Sequence, residues 1–423
     1  MMNRVLRKIL LAATAALISS APVYAADVTV RVLHVDPSPK TAEFYSDIVQ
    51  RFQASHPGVA VEFQYLENES YKKKLTTLLQ SEDRPNIIYS WGGGVLREQV
   101  KAGVIEDLSQ STKGWTELFT QATLDTYSLD GKLYGVPNRV QVSGFYYNKD
   151  LFLKAGVDGS QIKTWPQFLD AVTKLKQAGI QPLVLGGSDK WPASLYWGNL
   201  IVRVGGKAGY EASLKGENGG FASPVYVQAA QKFKELVDLE PFQRGWLGVT
   251  NSLTAGQFGD GKAAMILSVN SFLNTMAVNS VDKVGVPDEK LGWFPFPIIE
   301  GGAGSKDMLG NLNAWLVTKG SPKEAVDFLK FYSEAANQSP AAAKGLFIPA
   351  TTGAQAALTR PLLKDTLAVL NEAQFYQISY DQVLGPQAGT VFNDLSVELA
   401  AGRLAPEEAA AKLQKAWERA SGR

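Results

Sequence analysis

Residues 28–90 switch repeatedly between two spacings of apolar side chains. Val28, Val30 and Val32 recur with period two and predict a strand. From Thr41 to Ser55 the apolar positions Ala42, Tyr45, Ile48, Val49 and Phe52 fall at helical spacing, and Pro57-Gly58 stops the helix. Val59, Val61, Phe63 and Tyr65 alternate again as a strand. Tyr71 to Ser81 returns to helical spacing through Leu75, Leu78 and Leu79. Pro85 to Ser90 is a short apolar strand running into Trp91-Gly92-Gly93-Gly94. This strand–helix order predicts a parallel sheet covered by helices. Ligands of such sheets bind outside the strand carboxyl ends. The loop His34–Asp36 and the loop after Trp91 both fall there.

Further along, several helices announce their starts. Thr164 with Gln167, and Ser321 with Glu324, fit the capping box, in which side chains three apart satisfy each other's free backbone N–H. Ser223-Pro224 places a cap before Pro in the first turn. Ala405-Pro406 opens a helix with Ala409, Leu413 and Trp417 on one face. The extended Gly/Pro segment Phe294 to Gly310 predicts a crossover between lobes. No tandem repeat, low-complexity linker or heptad run is present.

The first 26 residues change the picture. Arg4, Arg7 and Lys8 precede an apolar run from Ile9 to Ile18, and Val23-Tyr24-Ala25 supplies small residues for cleavage. That run is about half the ~20 residues that span a bilayer, so a signal cleaved after Ala25 is expected. With no cysteine in the chain there is none to carry a lipid. A protein free in the periplasm is the expectation. Cleavage leaves 398 residues, enough for more than one lobe. Without the three leader cations, 39 Lys and Arg face 41 Asp and Glu, a balance close to −2. That argues against nucleic acid or an anionic membrane as the main partner. The 9 Trp, 15 Tyr and 19 Phe exceed what chemistry based on two His would suggest. Most belong in cores, but some can line a cleft for sugars, whose C–H faces pack on aromatic rings.

Motifs for catalysis are weak. Gly256 to Ala263 nearly matches a phosphate-binding loop, yet Ala263 lacks the metal-binding hydroxyl and no apolar strand precedes it. A turn before a buried segment at Ala264–Leu267 is the better reading. The glycine runs lack dinucleotide spacing, and no HExxH, paired-Cys or GxSxG motif occurs. His56 suits a surface capping role at a helix end. His34 suits a structural or ligand hydrogen-bonding role. No metal and no organic cofactor is expected. Paired carboxylates for glycoside hydrolysis stay open, because their separation is invisible in sequence.

Four strings in order carry a resemblance: Gly131–Pro137 with Phe145–Phe152, Phe258–Met265, Gly345–Pro349, and Phe375–Gln382 with Ala401–Ala409. The chain resembles the extracellular solute-binding proteins of ATP-binding-cassette importers, specifically the oligosaccharide-capturing family that resembles maltose-binding protein. It is similar to the raffinose- and xylo-oligosaccharide-type members. The resemblance implies an α/β fold of two lobes, each a sheet flanked by helices, joined by three hinge crossings. These would fall near Pro137–Gly144, Phe294–Gly302 and Ser339–Pro349. Lobe 1 would comprise 26–137 plus 298–340, and lobe 2 138–297 plus 341–423. The implied function is non-catalytic delivery of a di- to tetrasaccharide to membrane permease subunits by a monomer. A secreted carbohydrate-active enzyme and a binder of polyols or another small solute are the alternatives.

The resemblance also nominates site residues. Trp91, with Gly92 and Gly93 permitting close backbone approach, is expected to contact sugar, as are His34 and Asp36 in the neighbouring loop. Asn138 and Arg139 follow the first crossing, and Arg can fork hydrogen bonds to hydroxyls. Trp191 is preferred over Trp197, because Pro192 suggests a loop or helix start. Asn270 and Phe272 stand where the family often has Gly and Trp, so either Phe272 replaces the stacking ring or Asn270 bonds a hydroxyl. Trp246 is a loop platform or a core residue. Asn313 is favoured over Trp315 as a ligand contact. Asp381-Gln382 would supply acidic and amide contacts.

Overall fold

The computed structural model describes residues 27–35 and 38–422. The expected export signal and Asp36 therefore lie outside the described residues. The amino-terminal pattern folds as its periodicity requires. Strand β1 (Val28–His34) is followed by helix α1 (Pro39–Ser55), β2 (Val59–Tyr65), α2 (Asn68–Leu79), β3 (Ile87–Ser90) and α3 (Gly93–Lys101). β1 pairs in parallel with both β2 and β3. The side chains of α1 that fall at helical spacing, Tyr45, Ile48 and Phe52, are buried.

The next strand, β4 (Val136–Asn148), is long enough to serve two sheets. It precedes α4 (Trp165–Gln177), α5 (Trp191–Lys215), α6 (Pro224–Val237) and α7 (Asn251–Gly259). Then come β5 (Met265–Val269), α8 (Phe272–Asn279), β6 (Leu291–Pro295) and β7 (Met308–Val317). The chain ends with α9 (Glu324–Ser333), β8 (Ile348–Pro349), α10 (Pro361–Asn371), β9 (Tyr376–Ile378), α11 (Gly385–Ala400) and α12 (Pro406–Ser421). The first half of β4 pairs antiparallel with β7, from Val136 opposite Trp315 to Val142 opposite Gly310. Its second half lies between β5 and β6. β7 in turn joins β3 through Ala314–Val317 and β9 through Met308–Gly310. Thus β4 and β7 each run from one lobe into the other.

Two expectations need correction. Phe294–Gly302 does not cross. Ile298 bridges to Thr164, and the buried Arg203 donates to the carbonyls of Phe296, Gly304 and Ser305, which holds the segment on the second lobe. The chain crosses later, along β7, so residues 298–307 pack with lobe 2. Ser321 does not cap a helix either. Its hydroxyl donates to the carbonyl of Asn86, and α9 starts at Glu324 with Lys323 before it. The capping box at Thr164 and Gln167 does form. The near-match to a phosphate loop is a turn between α7 and the fully buried β5.

Each lobe has its own aromatic core. In the first, Tyr45, Phe63, Tyr89, Trp315 and Tyr332 surround His34 or one another. In the second, Phe145 packs on Phe168, Phe294 and Phe296.

Candidate functional site

A cleft lies over the strands that cross. In the antiparallel β4–β7 pair, Arg139 stands opposite Asn313 and Gln141 opposite Asn311. Alternation puts all four on one face. Tyr89 of β3, opposite Trp315, continues that face into the first lobe. Arg139, Gln141, Asn311 and Tyr89 line a cavity of about 240 Å³. Arg139 is fixed in place: Nη2 donates to the Tyr89 hydroxyl at 3.1 Å, and its guanidinium lies 5.4 Å from the Tyr89 ring and 5.7 Å from the Phe347 ring. The side-chain oxygen of Asn311 is covered and has no hydrogen-bond partner among the described residues.

The walls come from both lobes. Trp91, 8% exposed, directly follows β3 and meets Tyr71 and Tyr89 edge-on at 5.6 and 5.2 Å. Lys72 Nζ is 5.6 Å from its ring. Across the cleft stand Trp191, the first residue of α5, then Phe272 against Tyr146, and Asp381-Gln382. The charged side chains at the cavity are already engaged. Lys72 pairs with Glu69 at 3.1 Å, Glu67 caps α2 through the N–H groups of Glu69 and Ser70, Asp189 accepts from Asn251 N at 2.7 Å, and Asp381 accepts from Gln382 at 2.8 Å. What remains is flat apolar surface beside amides and hydroxyls, with no concentration of one charge.

Seven of the nominated residues lie away from the cavity lining. His34 is fully buried at the end of β1, its Nε2 3.1 Å from the Tyr45 hydroxyl and its ring 4.7–5.0 Å from those of Tyr45, Tyr89 and Trp315. Burial, and then Arg139, hold its pKa well below the ordinary value. Its side chain lies within the aromatic core of the first lobe rather than at the cavity. Gly92 and Gly93 take positive φ, and their closeness is to protein: a Cβ on Gly93 would sit 2.8 Å from Val383 Cα, and one on Gly92 3.2 Å from Thr126. Asn138, 1% exposed, accepts from the Tyr332 hydroxyl. Asn270 stitches β4, accepting from Val142 N at 2.8 Å and donating to Val140 O at 3.2 Å. Trp246 is half-buried against Phe242 and covers Gly187. Asn313 shares the face of the floor but is 1% exposed. The cavity lining contains Trp91, Arg139, Trp191, Phe272, Asp381 and Gln382.

Residues 38–339 match the bacterial extracellular solute-binding protein family. The chain belongs to that family. One curated relative, an uncharacterized ABC transporter extracellular-binding protein of Pyrococcus horikoshii, is 29% identical over 177 residues, 41% of this chain and 41% of its own. The chain thus spans less than half the length of that relative. A solved structure from work on xylan utilization by the thermophilic bacterium Caldanaerobius polysaccharolyticus superposes with a TM-score of 0.84 at 26% identity, covering 92% of this chain and 99% of the other. A chitin oligosaccharide binding protein gives 0.83 at 26%, covering 94% and 100%. The two-lobed fold of the solute-binding proteins is the fold seen here.

For a solute-binding protein the cleft is built economically. Period two extends from Arg139 to Gln141 and from Asn313 to Asn311, and this alternation could have found both missed floor residues. Tyr89, Lys72, Asp189 and Asn251 carry no local signal, because their neighbours in the cleft are remote in sequence. Among the described residues no cluster of His, Cys, Asp or Glu is placed to hold a metal, and no helix is long and apolar enough to cross a membrane.

Proposed function

We propose that this chain captures a neutral carbohydrate between its lobes and hands it to the membrane subunits of an ATP-binding-cassette importer, without chemical change. One observation carries the reading. Three aromatic side chains, Trp91, Trp191 and Phe272, share a single interlobe cleft with the amides of Gln141, Asn311 and Gln382, while acidic and basic groups are mixed there, with Lys72 paired to Glu69 and Asp381 hydrogen-bonded by Gln382. Rings take the C–H faces of a sugar, amides take its hydroxyls, and a lining with no excess of either charge favours an uncharged ligand. The two structural neighbours described above come from work on xylan utilization and from a chitin oligosaccharide binding protein, so plant and chitin oligosaccharides are the first ligands to try. Because β4 and β7 run through both lobes, closure would bend those strands at the floor, a hinge motion of the periplasmic-binding type. Export to the periplasm as a soluble monomer belongs to the same reading.

The test is a thermal-shift screen of the mature chain against mono- to pentasaccharides, with product analysis alongside. A stabilising shift with unchanged sugar supports capture. Hydrolysis of the sugar would overturn it in favour of an enzyme. Small-angle scattering with the best sugar should show a smaller radius of gyration.

A further inference from the structure

The wall opposite Trp91 begins at an unusual turn. Trp191 N donates to the carbonyl oxygen of Asp189 at 2.7 Å, two residues back, and Lys190 between them has φ 64° and ψ −48°. That is the γ-turn of positive φ, a rare and strained form for a residue with a Cβ. A second disfavoured conformation follows. Trp191 is the first residue of α5, yet it precedes Pro192, and a proline ring biases the residue before it towards extended backbone. Left to local preference, Lys190 would turn to negative φ and Trp191 would extend. The helix would then start at Pro192, where proline is favoured, and the indole would leave the place it holds at the cleft.

The surrounding structure holds the turn against that preference. Lys190 N donates to the carbonyl of Gly187 at 3.2 Å, and the carbonyl of Lys190 accepts from Ala193 N at 3.0 Å. The Asp189 carboxylate accepts from Asn251 N at the start of α7, and Ser188 N donates to the carbonyl of Val249 at 3.1 Å. The Ser194 hydroxyl donates to the carbonyl of Trp191 at 2.8 Å, which keeps Trp191 in the helical turn. Lys190 Nζ lies 2.5 Å from Asp394 of α11, but an exposed ion pair contributes little, so the backbone bonds and Asp189 supply most of the restraint. Strain held in this way concentrates at functional sites. This turn stands at one: Trp191 borders the cleft cavity, while Asp189 and Trp91 border both that cavity and an adjoining one of about 810 Å³.

We propose that Lys190 is a positioning residue, whose strained turn keeps Trp191 in the helix and so sets the indole in the cleft before a ligand arrives. Lys190 acts through Trp191 rather than on the ligand. The effect on binding rests on the carbohydrate reading above, whereas the placement of the ring does not.

Lys190→Gly and Lys190→Val test this as a pair. Both lose the ammonium group and its ion pair, but glycine takes positive φ freely and valine, branched at Cβ, does not. Indole N–H resonances of the unliganded mature chain give the first readout, with the Trp191 signal assigned through Trp191→Phe. That signal should stay in place in Lys190→Gly and shift in Lys190→Val, with thermal unfolding confirming that both variants fold. If the valine variant does not fold, Lys190→Ala replaces it with the same expected direction. Calorimetric titration with the best saccharide gives the second readout. Lys190→Val should bind roughly tenfold more weakly than Lys190→Gly, the scale of losing an aromatic anchor. A Trp191 signal that moves alike in both variants, or in neither, overturns the proposal. Equal affinity of the two variants for a sugar that the wild type binds overturns it as well. If no saccharide binds the wild type, the carbohydrate reading falls, and the resonance alone decides the role of Lys190.

Discussion

Trp91 and Trp315 make an instructive pair. Both lie beside Tyr89, Trp315 directly opposite it on β7 and Trp91 two residues beyond it on the chain, just past the end of β3. Trp315 is 1% exposed, with His34 at 4.9 Å, Tyr332 at 5.8 Å and Tyr45 and Tyr89 at 5.9 Å around it. Among the described residues, Trp91 has ring neighbours at Tyr71 and Tyr89, and part of its surface faces the cavity. The same side chain beside the same tyrosine is core at one position and cleft wall at the other. What separates them is the number of sides that other elements cover. Helix α1 closes over Trp315 through Tyr45, whereas the chain beyond Trp91 turns away into the glycines.

Truncation should separate the two most sharply. Trp315→Ala empties a closed aromatic cluster and should cost about 3–5 kcal/mol of stability, read by denaturant unfolding of the unliganded protein. A loss below ~1 kcal/mol would mean the cluster is looser than its ring distances indicate. Trp91→Ala should act mainly on binding, weakening the best oligosaccharide by at least tenfold, or ~1.4 kcal/mol, in calorimetric titration. Because Trp91 also packs on Tyr71 and Tyr89, a smaller stability loss than that of Trp315→Ala should accompany it. Unchanged affinity in the folded variant would remove Trp91 from the site.

The aromatic core around Trp315 is expected to be sensitive to pH. His34 has its pKa held well below 6.5 by burial and by Arg139, so the folded protein keeps it neutral where the unfolded chain takes up a proton. Its contribution is fully present above pH ~6.5. As pH falls below that value it is lost at about 1.4 kcal/mol per unit, until the folded group itself protonates. The stability difference between wild type and His34→Phe, followed from pH 7.5 down to 5, should therefore shift in favour of the variant. A pH-independent difference would mean that His34 titrates normally. The smallest effect belongs to one floor amide. Gln141→Leu should weaken sugar binding about fivefold, near 1 kcal/mol, with little change in unfolding. An effect as large as that of Trp91→Ala would reverse the ranking of rings over amides.

Much of the fold was legible in the chain. The first three strands and the two helices between them are each specified by local spacing, and their parallel order follows from the handedness of such connections. The turn before β5, the cap at Thr164 and the helix after Ala405 are equally local. The crossing expected at Phe294–Gly302 was misplaced because Gly and Pro content reports an irregular backbone and not the lobe that anchors it. The anchor is Arg203, some ninety residues earlier. The cavity lining was legible where a strand end announced it, as at Trp91, and where alternation led onward from Arg139. Asn270 was legible as polar but not as the residue that satisfies the backbone of β4.

The sequence by itself determined the alternating α/β order, the aromatic supply, the near-neutral charge and the solute-binding family, because those follow from periodicity, composition and short contiguous strings. Only the tertiary structure decided which aromatics face the cleft and which fill a core. It also decided that the glycines after Trp91 meet other protein segments, and that a second cavity borders the first at Trp91. Those outcomes depend on which remote segments cover each side of a residue. Burial is a property of the assembled neighbours, and no local spacing encodes it.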